Sequence, residues 1–206
     1  MQADDGAGAS ARSLRGLDGI NFLMADVRDG VGPYLSVYLK GSQHWQAGSI
    51  GMAMAASSIA AALCQIPAGL LVDGVRAKRA LVAASGLLVA CGCLVIVAFP
   101  HIGSVLAAQA MLGAASAVIP PAIAAISLGL VGRRRLDARI SRNEGFNHGG
   151  NFLAASLAGL VGHGLGTRWI FYLVCAFAVA SACVVALIDP RDIDHDRARG
   201  GESDTG

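Results

Sequence analysis

Apolar residues along this chain fall into six long blocks separated by short polar or basic interruptions. The blocks run approximately from Leu17 to Leu39, Gly48 to Val72, Ala80 to Phe99, Ser104 to Val131, Gly145 to Gly166 and Trp169 to Ile188. Each is long enough, as a helix, to cross a hydrocarbon layer about 30 Å thick. The pattern predicts an all-α membrane protein with six transmembrane helices, spans one to six. The connections alternate between short Gly/Pro-punctuated or weakly polar segments (KGSQHWQ, FPHIG, GTRW) and basic ones (DGVRAKR, GRRRLDARISRNE). That alternation is expected if successive loops lie on opposite sides of a bilayer.

Composition agrees with the block pattern. Of 206 residues, 54% are hydrophobic and 15% charged, and the mean hydropathy is +0.57. This excludes an ordinary soluble domain and a disordered polypeptide. The net charge of +2 comes from basic residues scattered through connections, so nucleic acid is not an expected partner. The lipid bilayer is. Asp4 and Asp5 occupy the stretch where a signal peptide carries positive charge, so no cleavable signal is expected. The five cysteines all lie in apolar blocks without a C-x-x-C pair and read as small packing residues.

Charge sets the expected orientation. Arg12, Arg15, Arg76, Lys78, Arg79, Arg133, Arg134, Arg135, Arg139, Arg142, Arg191, Arg197 and Arg199 fall on one side of a six-span chain, against Lys40 and Arg168 on the other. Arg28 lies inside span one. The positive-inside rule then puts both termini in the cytosol. Residues 1–16 read as a cytosolic N-terminal tail, 17–188 as the six-helix transmembrane domain, and 189–206 as a flexible cytosolic tail or linker of mixed charge. A multi-pass protein of the plasma membrane is the expected location.

Polar residues inside the spans point to function, because they are costly in lipid. Span one carries Asp18, Asn21, Asp26, Arg28 and Asp29, which at 100° per residue share an arc of about 160°. The opposite side carries Ile20, Leu23, Met24, Val27, Val31, Tyr34, Leu35 and Tyr38. The polar arc must face protein or water, either as a buried ion pair between Arg28 and Asp26 or Asp29, or as the lining of a solute path. Span five opens with Asn143, Glu144, Asn147, His148 and Asn151 in an arc of about 140°. Glu144, Asn147 and His148 are candidates for a proton relay, imidazole being a side chain suited to passing a proton. Gly145 with Gly149 and Gly162 with Gly166 have the four-residue spacing that permits close helix contact. Pro120 and Pro121 are expected to kink or break span four.

Between spans two and three the chain reads Gly69, Leu70, Leu71, Val72, Asp73, Gly74, Val75, Arg76, Ala77, Lys78, Arg79. This resembles the loop motif of the major facilitator superfamily, Gly-x-Leu-x-Asp-x-x-Gly-Arg-Arg/Lys. Gly69, Leu71, Asp73 and Lys78 match, while Arg76 replaces the second Gly and Ala77 replaces an Arg. Six spans with both ends inside resemble that family's N-terminal half over nearly the whole chain. The resemblance implies two inverted three-helix repeats, with spans one and four lining a substrate cavity. Asp26, Arg28, Asp29 and Gln109 would then line the transport cavity, and Gly69, Asp73, Arg76, Lys78 and Arg79 would form a cytosolic gating motif. Gln109 stands where many proton-coupled members carry Arg, with Gly113 matching four residues on. The Gly-Pro motif of drug antiporters is missing, since no proline follows Ala158 and Gly159.

The expected function is transmembrane transport of a small solute by alternating access, with a coupling proton or cation, as a half-size or truncated carrier. A homodimer or a complementary half would cover the polar stripes. The alternative is a truncated, non-transporting protein that acts only by associating with another membrane protein. An intramembrane serine hydrolase lacks support: the Gly-x-Ser-Gly site is absent and Ser116 is its nearest approach. No cofactor, catalytic residue or metal is expected. His195 with Asp192, Asp194 and Asp196 reads as a solvated run.

Overall fold

The computed structural model describes residues 9–29 and 31–201, with the side chains of Arg28, Asp29 and Pro33 outside that description. Among the described residues seven helices follow one another: α1 (Ala11–Asp29), α2 (Gly32–Gly41), α3 (Ala47–Gly74), α4 (Lys78–Ala98), α5 (Ile102–Val131), α6 (Leu136–Gly164) and α7 (Arg168–Val185). Single 3-10 turns occupy Arg133–Arg135, Pro190–Asp192 and Arg197–Arg199. Among the described residues there is no strand. Helices α3, α4, α5 and α7 are each long and apolar enough to cross a membrane, and the chain is an all-helical membrane protein. Helices α1 and α6 are the two long helices that carry the polar arcs, which lower their average hydropathy.

The first apolar block is divided between α1 and α2 rather than forming one helix. Pro33 sits in the first turn of α2. It has no N–H to give to the carbonyl four residues back, which belongs to Asp29, the last residue of α1. The same chemistry has a different result in α5, which runs continuously through Pro120 and Pro121. The carbonyls they leave without donors are those of Ser116 and Ala117. Both residues line a recess of about 600 Å³ shared with Ala61, Ala62, Gln65 and Gly69 of α3, so the missing bonds fall where the helix borders open space.

Packing follows a two-fold pattern. The five most extensive helix pairs are α3 with α5, α4 with α5, α4 with α7, α1 with α6, and α1 with α7. Exchanging α1 with α5, α3 with α6 and α4 with α7 maps this set onto itself. The tightest crossings agree in position. Gly113, eleven residues beyond the first residue of α5, lies against the backbone carbonyl of Ser57 in α3. Phe22, eleven residues beyond the first residue of α1, presents its carbonyl to Gly150 of α6. At either glycine a Cβ would run into that backbone, so close approach selects glycine there. The buried stripe of α6 continues through Ala154 and Ala158, one residue out of register with the expected Gly145 and Gly149; Gly145 borders nothing within 4 Å.

The apolar faces of α1 and α2 turn into the core, where Ile20, Met24 and Val27 of α1, Val31 between the helices, and Leu35 and Tyr38 of α2 are all buried. At one end of the bundle the Ser42 and Thr167 hydroxyls are 3.1 Å apart, and the rings of Tyr38 and Phe171 meet edge to face at 5.0 Å. The basic connections gather at the other end. There the segment after α7, expected as a loose tail, is seated. Ile188, Ile193 and Ala198 are buried, with Ile193 and Ala198 against Gly129 of α5. The Asp194 amide donates to the Gly129 carbonyl at 3.1 Å, Arg133 to the Gly200 carbonyl at 2.8 Å and Arg199 to the Gly74 carbonyl at 3.3 Å. One oxygen of Asp192 accepts from the Ser10 and Ser13 hydroxyls at 2.5 and 2.6 Å and from the Ser10 amide at 3.1 Å. These bonds, Ser10 first and Ser13 next, hold the Asp192 carboxyl below its ordinary pKa.

Candidate functional site

Two polar places in the bundle contrast with each other, and a third lies at the loop between α3 and α4. The first joins α1, α6 and α5. Asp18 is buried in α1, where an unpaired carboxylate would be costly. Arg139 of α6, with its side chain 5% exposed, donates to Asp18 Oδ1 at 2.5 Å. Its Nε donates to Asn143 Oδ1 at 2.7 Å. The Asn143 amide donates to Ser127 Oγ at 2.9 Å, and that hydroxyl to the Ile123 carbonyl at 2.8 Å. Arg142, 59% exposed, binds both Asp18 oxygens from the solvent side and stacks over the Phe146 ring at 5.2 Å. Asn21 closes back onto the Leu17 carbonyl at 2.8 Å. Every buried member of this chain has a partner, which is the condition for such a network to rigidify a core.

Sequence periodicity places Asp18 and Asn21 on the polar arc, with Arg28 and Asp26 or Asp29 as one reading of its charges, a pairing that lies outside the described residues. Asp18 pairs with Arg139 and Arg142. The signal was present: Arg139 and Asn143 stand four apart, on one face with Asn147. Arg139 reads from the sequence as loop charge because helix α6 begins nine residues earlier than its apolar block.

The second place is a cavity of about 160 Å³ among α1, α2, α3, α4 and α5. Val27, Val31, Gly32, Met54, Val89 and Leu112 supply its apolar lining, and Ser57, Ser58, Gln109 and Ser116 its polar groups. Gln109 is 2% exposed. Ser58 and Ser116 hydroxyls turn back onto the Met54 and Gly113 carbonyls, at 3.4 and 3.0 Å. The Gln109 amide makes no hydrogen bond among the described residues. Asp26 is half-buried and is not among the described lining residues. The side chains of Arg28 and Asp29 lie outside the described residues.

In the α3–α4 loop, the proposed motif residues do unlike things. Lys78 is buried, and its Nζ donates to the Val72 and Val75 carbonyls at 2.7 and 3.3 Å. It thereby serves the open carbonyls at the end of α3. Asp73 and Arg76 are exposed, and the half-buried Arg79 has an Nε without a partner. Gly69 lines the recess beside Pro120 and Pro121. On α6, Asn147 is buried and donates to Glu144 at 3.4 Å, while Glu144 and His148 are exposed. No group of three or more metal-ligating side chains occurs among the described residues.

Comparison with known proteins adds the family. A model of the Major Facilitator Superfamily matches residues 17–204. Two uncharacterized MFS-type transporters of Mycobacterium tuberculosis, from strains CDC 1551 / Oshkosh and ATCC 25618 / H37Rv, are each 45% identical over 189 residues. The match takes in 92% of this chain and 45% of each relative, so the chain spans about half the length of the curated relatives it matches.

Proposed function

The chain belongs to the major facilitator superfamily, a family of transporters rather than enzymes, and on that premise we propose that it works as one six-helix half of a solute carrier. In this reading α1 with α2, and then α3 to α7, make six spans arranged as two inverted three-helix repeats, with both termini cytosolic in a plasma membrane. The observation that carries it is the two-fold packing, in which α1 and α5 cross their partners at matching depths through Phe22 and Gly113. The gathering of the basic connections at one end supports the orientation.

A second six-helix unit, another copy or a complementary half, completes the path. Many large apolar side chains of α3 and α6 are exposed, among them Leu63, Ile66, Leu70, Phe152 and Leu160, and need lipid or protein against them. Asp26, Arg28, Asp29 and Gln109 border the solute path. The carboxylates pair with a coupling proton or cation. Glu144, Asn147 and His148 form a relay, and Gly69, Asp73, Arg76, Lys78 and Arg79 the cytosolic gate.

The test is uptake into proteoliposomes from a defined mixture of small metabolites, read by mass spectrometry. Accumulation that falls in both Arg28→Ala and Asp29→Asn supports the cavity; accumulation unchanged in both removes those residues from it. No accumulation by any assembly of the chain favours the alternative, a protein that acts only by association with another membrane protein.

A further inference from the structure

We infer that the cavity at Gln109 is a binding site for a small hydroxyl-bearing solute, held by hydrogen bonds with the Gln109 amide and the serine hydroxyls around it. This rests on the carrier reading for why a solute would reach the site, and deepens it by naming the solute class. Three observations lead there.

Gln109 is 2% exposed and its amide has no bond among the described residues, although buried polar groups are nearly always paired. An amide offers two donors and an acceptor, so several bonds stand open at one point. The amide also faces space rather than packed side chains, because Gln109 lines a cavity of about 160 Å³. A single water takes about 30 Å³ of liquid volume, and a dry cavity of about 150 Å³ holds a benzene-sized guest, so the space suits a molecule of roughly six to eight heavy atoms.

The other described polar groups in the wall, Ser57, Ser58 and Ser116, are hydroxyls. Ser58 and Ser116 give their protons to the Met54 and Gly113 carbonyls and keep lone pairs to accept with, while the Ser57 hydroxyl can give and accept. Val27, Val89 and Leu112 provide the apolar side. An amide and three hydroxyls match a solute with hydroxyls along one edge and C–H surface along the other. No described lining residue supplies the paired charges that a dicarboxylate or diammonium solute needs when taken out of water.

The experiment uses the full chain in lipid nanodiscs and three four-carbon probes of similar size: erythritol, succinate and putrescine. Binding is read as a rise in unfolding temperature and as a dissociation constant from calorimetry. Erythritol is expected to bind and the two ions not to. Gln109→Leu is expected to weaken erythritol at least about tenfold, the loss of more than one hydrogen bond, without lowering the unfolding temperature of the ligand-free protein. Ser57→Ala is expected to weaken it about threefold, as for one neutral bond.

Binding of succinate or putrescine in place of erythritol overturns the inference. So does erythritol binding unaffected by Gln109→Leu, or no binding at all, which would leave the cavity to water. Proteoliposome uptake separates the two claims. Erythritol that binds through Gln109 but is not moved by any assembly of the chain contradicts the carrier reading and leaves the site standing. Uptake of ionic solutes indifferent to Gln109→Leu keeps the carrier reading and removes the site.

Discussion

Asp18 and Gln109 occupy one place in two halves of the bundle. Each lies seven residues beyond the first residue of its helix, α1 or α5, and four before the tight crossing at Phe22 or Gly113. Each is nearly inaccessible to solvent. Yet Asp18 is held by two guanidinium groups and, through Arg139 and Asn143, by a chain of bonds reaching Ser127 of α5, whereas Gln109 opens into a cavity. The difference shows how one packing solution serves two ends. A buried polar residue with a full set of partners ties helices together, and the same position left unpaired keeps bonds available for a guest.

The largest expected effect breaks the tied side. Arg139→Leu leaves the Asp18 carboxylate buried with only the exposed Arg142 for a partner, and a loss of about 3–5 kcal/mol is expected for a broken buried pair. Thermal unfolding in nanodiscs measures it. Asp18→Leu combined with Arg139→Leu should recover part of that loss, since an apolar pair replaces an orphaned charge.

Next come the two crossings, which should fail alike if the halves are built alike. Gly113→Ala and Gly150→Ala each push a methyl group against backbone, at Ser57 and Phe22 respectively. Each is expected to cost about 1–3 kcal/mol, as overpacking does, measured in the same melts. A cost at one glycine and none at the other would break the two-fold comparison. Gly145→Ala, with nothing within 4 Å, is the control and should be neutral or slightly stabilising through helix propensity.

Arg142 sharpens the contrast within the Asp18 cluster. It binds the same carboxylate as Arg139 but from an exposed position, so Arg142→Ala should lower the unfolding temperature far less than Arg139→Leu in the same melts. The smallest effect concerns the seated segment after α7. Asp192 has a depressed folded pKa, so its contribution is fully present above the unfolded value, about 3.9, and is lost as pH falls through the lower folded value. Exchange of the Asp194 amide, corrected for intrinsic rate, should stay constant from about pH 8 to 5 and quicken only below about pH 4. Quickening between pH 7 and 6 would assign the hold to another group.

Much of this architecture is legible in the chain because bilayer length and helical period act locally. The apolar blocks anticipate α3, α4, α5 and α7 to within a few residues. The polar arc of α1 sets Asp18 and Asn21 apart from the face that becomes core. What the period does not reveal is the partner. Arg139 lies 121 residues from Asp18, and its turn of α6 is too polar to read as part of a span. The close-packed stripe of α6 falls on Gly150, Ala154 and Ala158 because the carbonyl of Phe22 selects that register, a fact held by another helix. The division of span one at Pro33 was written in its missing N–H, although the surrounding apolar residues concealed it. The segment after α7 has too few apolar residues, chiefly Ile193 and Ala198, for periodicity to show; their burial depends on the gap that Gly129 leaves.

The most direct measurement compares Asp18→Leu with Gln109→Leu in one set of nanodisc melts. If one place is tied and the other kept open, Asp18→Leu strands Arg139 and lowers the unfolding temperature by about 10 °C, as about 3–5 kcal/mol does in a chain of this size. Gln109→Leu, which removes an unpaired buried amide, leaves the temperature unchanged or raises it. Equal losses in the two variants would contradict the comparison, because they would show that Gln109 too is bound into the fold.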